Sequence, residues 1–554
     1  MLIFGNMLFD APLQTITAFN AEQFRAAFLL LEKLRHDYFI AGYVRYEAKN
    51  IFYEDSAIQS SLPLLYFEVF SEYKKYKESA AAPIYLDVKA KIGFDEYKNA
   101  IDKIKNEIKN GNTYEVNWTH DFTVNAGDAN AVEVYNYLLP KQRTPYNAFI
   151  TNRWESVLSF SPELFFSIEE EGGVERIVTK PMKGTIRRGR NEEEDTALKQ
   201  FLMNDEKNRA ENVMIVDLLR NDLGRIARFG TVRVRQLFEI ETHPTLHQMT
   251  SRIEAELNPK TTLYEQFKAL FPCGSVTGAP KLSTMNIIEK TESGPRGVYC
   301  GAIGLLTPRG HGKRRALWSV PIRILQKTFN EEHWRYRSGG AIVWDSNAED
   351  EYKETLVKAR FLQNDFYLLE TMKSQNLKIE FFKEHLFRLK KSAAYFDFIY
   401  NETLENIKPD KDGILRLLLK KNGEYKIEYR PLVESAKNYV RLSNIKVDSS
   451  DIFLYHKTTY RPLFNLTYDD YYDELFCNER GELTEGSRSN IVVELEKKLY
   501  TPPLSCGLLD GIMRRQLLNH GECAERILYP RDLEKASKIF CVNSVRGIKE
   551  VRFV

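Results

Sequence analysis

Lys183 lies in the run TKPMKGTIRRG (residues 179–189), followed by Gly184-Thr185 and flanked by Lys180, Arg187 and Arg188. A lysine beside a glycine is most often a solvated side chain at a turn; a lysine on the rim of a pocket is a nucleophilic amine. Acidic groups that could work with it recur along the chain. They are Glu163 in SPELFF, Glu211 with Asp217 and Asp222 in KNRAENVMIVDLLRNDLGR, and Glu351, Glu354 and Lys358 in DSNAEDEYKETLVKAR. At about 100° per residue, the last three fall within a helical sector about 60° wide. Alone, the Glu211 cluster reads as a salt-bridged helix, Glu354 and Lys358 as an ordinary i,i+4 pair, and Glu163 as the start of a strand. Between them FPCGSVTGAPK (residues 271–281) carries Gly274, Gly278 and Pro280. These suit a tight loop that brings backbone N–H groups to an anion. A second set lies in YHKTTYRP with Lys457, LTEGSRSNIVV with Glu485, and LYTPPLSCGLLDGIMRRQLL. Alone, Lys457 is a weak signal and TEGSRSN reads as a polar loop entering a strand.

The elements that must position these groups follow from periodicity. In FDEYKNAIDKIKNEIKNG, Tyr97, Ile101, Ile104 and Ile108 recur at helical spacing and Gly111 stops the helix. TYEVNWTHDFTV reads as a strand. Leu164, Phe166 and Ile168 alternate into a hairpin whose turn is Glu171-Gly172-Gly173, so Lys183 is expected where the chain leaves the sheet. Residues 192–224 are helical in pattern, strands and short helices follow to about 345, and a helix spans Ala348 to Gln363. Ala80–Pro83 reads as a short linker. NDFYLLETMKSQNLKIEFFKEHLFRLKKSAAYF restarts with strand, turn, strand and amphipathic helix. That places a boundary near 364 and gives domains 1–363 and 364–554.

At 554 residues the chain exceeds one hydrophobic core. Its 43% apolar and 28% charged residues are those of a soluble globular protein, and 12% aromatic residues suit sheet-rich cores. With 79 basic and 77 acidic residues the net charge is +2, so nucleic-acid binding is not expected. MLIFGNMLFDAPLQ has no basic leader and meets Asp10, and no apolar run of about 18 residues occurs; neither a signal peptide nor a membrane span is expected. Cys273, Cys300, Cys477, Cys506, Cys523 and Cys541 are scattered without a CxxC pair, which fits reduced thiols in the cytoplasm.

The consecutive motifs GNTYEVNWT, SFSPELFF, PMKGT, RAENVMIVDLLRNDLGR, GSVTGAPK, YCGAIG, PIRI and SGGAIVWDSNAEDEYKETLVKAR, over about 90–362, resemble the chorismate-utilising enzymes. The first 80 or so residues match loosely and look like a shortened N-terminal half. The resemblance implies an α+β fold, a sheet sandwich with helices. It implies Glu211 and Glu354 as Mg²⁺ ligands, with Glu351 and Glu163 in the same acidic site. Arg323 and the backbone of Gly339-Gly340 are expected to hold substrate carboxylates, and Thr277 and Lys358 to line the pocket. Members that make aminodeoxychorismate carry lysine at position 183, where anthranilate synthases carry alanine. Lys183 is then expected to attack carbon 2 of chorismate and expel the carbon-4 hydroxyl, ammonia adding at carbon 4. Lys180, Arg187 and Arg188 are expected to favour its free amine. Gln248 stands where anthranilate synthases have histidine, with His247 beside it, which argues against pyruvate elimination at this site. No cysteine–histidine–glutamate glutaminase module is found, so ammonia is expected from a separate glutamine amidotransferase subunit or from ammonium.

YHKTTYRP, LTEGSRSNIVV, EHLFRLKKSA and TPPLSCGLLDGIMR together resemble the fold-type IV pyridoxal-phosphate enzymes. That implies an α/β small subdomain and a β-barrel-like large one, with a homodimer through this domain left open. By resemblance Lys457 bonds to pyridoxal phosphate and Glu485 faces its ring nitrogen. Arg388 is expected to bind the phosphate together with the backbone of Ile512 and Met513. Met513 replaces the usual threonine, and the family's opening strand and Asp-Gly turn are missing. The joint expectation is a bifunctional cytoplasmic enzyme that aminates chorismate and then eliminates pyruvate to give 4-aminobenzoate. The alternatives are an anthranilate or isochorismate synthase fused to a class IV aminotransferase, or a catalytically silent C-terminal domain.

Overall fold

The computed structural model describes residues 1–554 except 54–57, 80–83, 190–191, 243–245, 363–364, 397, 434, 450 and 462–470. The linker expected at Ala80–Pro83 and the boundary expected near 364 fall outside the described residues. The chain divides into two compact units. The first comprises Met1–Arg188 with Thr196–Asn364, and the second Gly189–Asp195 with Asp365–Val554.

Two ten-stranded sheets form the first unit. In one, Glu115–Asn125 pairs antiparallel with Trp334–Ile342 and with the short strand Gly278–Ala279. In the other, Val174–Lys180 and Met182–Arg187 both pair with Leu246–Glu256. Side chains from both sheets meet in one core, among them Phe4, Ile150 and Val157 from the first and Phe67, Phe166 and Trp318 from the second. The two sheets therefore form a sandwich. The first 80 residues are integral to it. Leu2–Phe4, Met7–Phe9 and Lys74–Lys75 extend the first sheet, and Gln14–Ala18, Phe39–Val44 and Leu65–Phe70 the second. Helix Phe94–Lys109 buries Tyr97, Ile101 and Ile104 against Trp118 and Ile342, at about 1.5–3 kcal/mol per side chain. The stretch 192–224 is two helices, Glu192–Asn204 and Glu206–Gly224, because Asp205 accepts from Asn208 N and caps the second. The last helix ends at Lys358, followed by a 3₁₀ turn, Arg360–Leu362.

In the second unit a four-stranded sheet, order Lys378–Ile379, Leu368–Gln375, Gly413–Leu419, Tyr425–Arg430, packs on helix Phe382–Tyr395. The tight turn at Asn376-Leu377 has φ +53° and +54° and is held by the Asp412 carboxylate, which accepts both backbone N–H groups at 2.9 Å. An eight-stranded sheet closes on itself, because Leu483–Gly486 pairs both with Asp473–Asn478 and, through Glu485↔Asn490, with Asn490–Leu495. Closure makes a six-stranded barrel, with Lys498–Thr501 and Ala524–Glu525 continuing the sheet beyond Asn490–Leu495. Among the described residues no helix is long and apolar enough to cross a membrane.

Candidate active sites

Lys183 does not stand where the chain leaves the sheet. It lies inside the strand Met182–Arg187, whose register against Leu246–Glu256 shifts between Met182 and Thr185. The irregularity re-aims the side chain. Gly184 sits there at φ +87°, and a Cβ on it would come 2.9 Å from Asn208 Oδ1. Lys183 is only 6% exposed and forms an ion pair with the fully buried Glu115. Burial lowers the Lys183 pKa, but Glu115, Glu211 and Glu163 together raise it above the ordinary lysine value. The expectation that neighbouring cations free the amine is therefore corrected: the charges acting on it are carboxylates. Lys180 is turned to Glu241 and Glu239, and Arg187 donates to the Arg188 carbonyl at 2.9 Å.

Lys183, Glu211, Glu163, Arg323, Gly339, Gly340, Glu351, Glu354 and Lys358 all line one cavity. Burial pushes Glu163 and Glu211 up to about 7 each, against the pull of Lys183 on both. Ser275 Oγ donates to Glu163 Oε1 at 2.6 Å. Arg323, buried at φ +54°, has an Nη1 without a hydrogen-bond partner, a donor ready for an anion. Thr277 is in the loop behind the wall, its hydroxyl shared between the carbonyls of Cys273 and Gly274. Of the other acids on helix Glu206–Gly224, Asp217 makes an exposed pair with Arg220 and Asp222 a buried one with Lys281 at 2.7 Å. Strand alternation turns Gln248 into the cavity, where its Nε2 donates to Gly184 O and Thr185 Oγ1.

Gly340 forms a cradle: a Cβ there would lie 3.2 Å from Glu351 Oε2, 3.8 Å from Glu354 Oε1 and 3.9 Å from Lys358 Nζ. Lys358 also donates to Gly339 O at 2.7 Å and pairs with Glu354 at 2.6 Å. Burial, then the charge of Glu354, raises the Glu351 pKa. Lys207 stands 3.7 Å from Glu351 and 4.0 Å from Glu211. Among the described residues no three His, Cys, Asp or Glu side chains form a ready-made metal cage. Mg²⁺ needs less, since it keeps waters and takes one or two carboxylates plus ligand oxygens. Glu351 and Glu354 fit that, with Glu211 facing Glu351 across Lys207. Glu163 belongs to another part of the wall, beside Ser275, Lys183 and Arg323. Behind Gly339, Glu292 binds Arg296 and Arg337 and accepts from Thr119 N and Oγ1.

In the second unit Lys457 is fixed by its carbonyl, which accepts from Leu369 N at 2.9 Å. Burial, then Arg461 and Arg388, lower its pKa to about 7 against the pull of Glu370 and Glu485. Burial raises Glu485 to about 7, while Arg461 opposes it. Asn490 Nδ2 reaches Glu485 Oε2 at 3.2 Å, and Glu485 Oε1 has no hydrogen-bond partner. Arg388 is clamped by both oxygens of Glu370 at 2.8 and 2.6 Å and donates to Asp510 O. Glu370 also meets His385 Nδ1 at 2.6 Å, leaving the buried His385 Nε2 without a partner. Helix Ile512–Asn519 starts at Gly511, where a Cβ would lie 1.9 Å from Asn490 Oδ1. A buried lysine of low pKa, an acid oxygen without a hydrogen bond and 3.9 Å from Arg461 Nη2, a clamped arginine and a helix start fit pyridoxal phosphate.

Glu115, Ser275, Glu370 and Arg461 had no place in the sequence expectations. Glu115 stood in a quoted motif, GNTYEVNWT, but alternation there puts it on the polar face opposite Val116 and Trp118, so no sequence signal marked it as buried.

Residues 5–364 match the family described as chorismate binding enzyme, and residues 367–554 that of class IV amino-transferases. The aminodeoxychorismate synthase of Streptomyces griseus is 41% identical over 267 residues, 48% of this chain and 35% of that one. Aminodeoxychorismate synthase component 1 of Klebsiella aerogenes is 38% identical over 271 residues, 49% of this chain and 57% of that one. The chain thus spans 35 to 57% of the length of these two relatives. Anthranilate synthase component I from Streptococcus pneumoniae shares the fold, with a TM-score of 0.54 at 24% identity over 64% of this chain and 91% of that one.

Proposed function

We propose, from the premise that the chain belongs to the chorismate binding enzyme family, that it makes 4-aminobenzoate, a folate precursor, in two reactions. Residues 1–363 aminate chorismate to 4-amino-4-deoxychorismate; residues 364–554 then eliminate pyruvate and leave the aromatic ring. The observation that carries the reading is Lys183, a buried lysine on the wall of an acid-lined cavity beside a buried arginine.

In the first reaction Arg323 and the backbone at Gly339-Gly340 hold the substrate carboxylates. Glu351 and Glu354, with Glu211 facing them, would hold Mg²⁺, which neutralises a carboxylate of the dianion, while Glu163 lines the wall beside Lys183 and Arg323. The Lys183 amine bonds to carbon 2, the ring double bonds shift, and the carbon-4 hydroxyl leaves as water with a proton from a carboxyl group of the cavity. Ammonia adds at carbon 4 and the carbon 2–nitrogen bond breaks, releasing Lys183. Gln248, without an acid–base function, leaves the enolpyruvyl group on the ring. Thr277 supports the wall by fixing its loop.

In the second reaction Lys457, Glu485, Arg388 and the backbone of Ile512 and Met513 would hold pyridoxal phosphate, which supplies an electron sink. Glu485 would stand as the acid that keeps the ring nitrogen protonated. Glu370 fixes the Arg388 guanidinium, which would take the phosphate. The Lys457 amine, with a pKa of about 7, carries protons to and from the substrate carbon at neutral pH.

Ammonia is proposed to come from a separate amidotransferase subunit. Burial raises the pKa of all six thiols, so none is a thiolate suited to attack glutamine. Those unpaired thiols also support a reducing cytoplasm.

The purified chain, given chorismate, Mg²⁺ and ammonium, is expected to release 4-aminobenzoate and pyruvate in equal amounts. Anthranilate or isochorismate as the product would refute the reading. Gly340→Ala places a methyl in the cradle; KM for chorismate is expected to rise roughly tenfold, with the rate of the second reaction on supplied aminodeoxychorismate unchanged. Steady-state kinetics on both substrates checks this.

A further inference from the structure

Lys183 is buried, its pKa is raised, and so it rests as an ammonium, which cannot attack carbon. Its one described hydrogen bond goes to Glu115 Oε1. The two come from different sheets, Lys183 from Met182–Arg187 and Glu115 from the first residue of Glu115–Asn125. Glu115 is fixed from behind. Its main chain pairs with Ala279, its carbonyl accepts from Thr113 Oγ1 at 3.0 Å, and a Cβ on Gly278 would lie 2.0 Å from that carbonyl. Its second carboxylate oxygen, Oε2, is buried with no hydrogen-bond partner. The other groups acting on Lys183 are Glu211, from helix Glu206–Gly224, and Glu163, from the segment before Leu164–Glu171. Glu163 is engaged by Ser275 and Glu211 stands 4.0 Å from Lys207.

We propose that Glu115 is the base that makes Lys183 nucleophilic, taking one ammonium proton along the existing hydrogen bond. Lys183–NH₃⁺ and Glu115–COO⁻ become Lys183–NH₂ and Glu115–COOH, with no net change of charge in the buried pair. The amine then bonds to carbon 2 as the carbon 4–oxygen bond breaks. When ammonia has displaced Lys183, the proton returns from Glu115. This rests on the reading of Lys183 as the nucleophile.

The test uses the full chain with chorismate, Mg²⁺ and saturating ammonium, measuring kcat and KM from about pH 7 to about pH 9. Glu115→Gln keeps the shape but accepts no proton. Its kcat is expected to fall by about 10²–10³ with KM within about twofold. Log kcat should rise more steeply with pH than in the parent, because the proton must then go to solvent base. Glu115→Asp, which keeps an acid, should give an intermediate kcat and the parental slope. A parental or faster rate for Glu115→Gln, or a fall with an unchanged slope, overturns the proposal. If Glu115→Gln does not fold, Glu115→Asp decides: a reduced kcat with the parental slope supports the base, and a steeper slope or full rate overturns it. Lys183→Ala run alongside separates the two levels. If it is inactive while Glu115→Gln is fully active, only the base fails; if it is fully active, the nucleophile fails with it.

Discussion

Lys183→Ala is expected to abolish conversion of chorismate to aminodeoxychorismate, lowering kcat by at least roughly a thousandfold, the scale of losing a catalytic nucleophile. The same protein should still turn supplied aminodeoxychorismate into 4-aminobenzoate and pyruvate at the parental rate, since Lys457 and its surroundings are untouched. That second rate is the control for a general loss of folding. Removing Lys183 also strips Glu115 of its partner, and an orphaned buried charge costs about 3–5 kcal/mol. A lowered Tm with intact second activity is therefore compatible with the result. Intact-mass measurement of the parent with chorismate and no ammonium should show a chorismate-derived adduct, less water, that the variant lacks. Full 4-aminobenzoate output from Lys183→Ala would rule out the covalent step.

Lys457→Ala is expected to have an equally large but opposite effect: aminodeoxychorismate accumulates and neither pyruvate nor 4-aminobenzoate is released. Pyridoxal phosphate added to the parent should produce an absorbance band at the violet edge of the visible, and the variant should not. The pH dependence follows from the lowered pKa. The amine is neutral above about 7, so the rate of covalent capture should rise with pH up to about 7 and then level. An unperturbed lysine, with a pKa of about 10.4, would still be rising well above neutrality. A parent that forms no band and loses nothing on Lys457→Ala would mean a silent domain.

Sequence was most informative where chemistry and periodicity coincide. The pattern of Tyr97, Ile101 and Ile104 gave a helix, and the Leu164–Ile168 hairpin was legible from alternation and Gly172-Gly173. Lys183, Arg323, Gly340, Glu351 and Glu354 converge on one cavity although the chain separates them by up to 171 positions (354 minus 183). What failed was the electrostatics around Lys183. Lys180, Arg187 and Arg188 are close in sequence, but Lys180 is turned to Glu241 and Glu239 and Arg187 to the Arg188 carbonyl. The charge that matters, Glu115, is 68 residues away, on the other sheet. Thr277 misled for a similar reason: a polar residue in a tight loop satisfies that loop first. The loosely matching first 80 residues proved to supply strands to both sheets, because extending a sheet asks for residues that fit a pleated, buried surface rather than for particular ones.

The barrel of the second unit is closed by the pairing of Glu485 with Asn490, and Glu485 is also the acid beside Lys457. A slip of one residue in a strand turns every side chain to the opposite face. At this clasp a slip would both leave the ring open and point the acid away from Lys457. The fold thus proofreads its own chemistry: a chain that has failed to close correctly cannot present the acid at all.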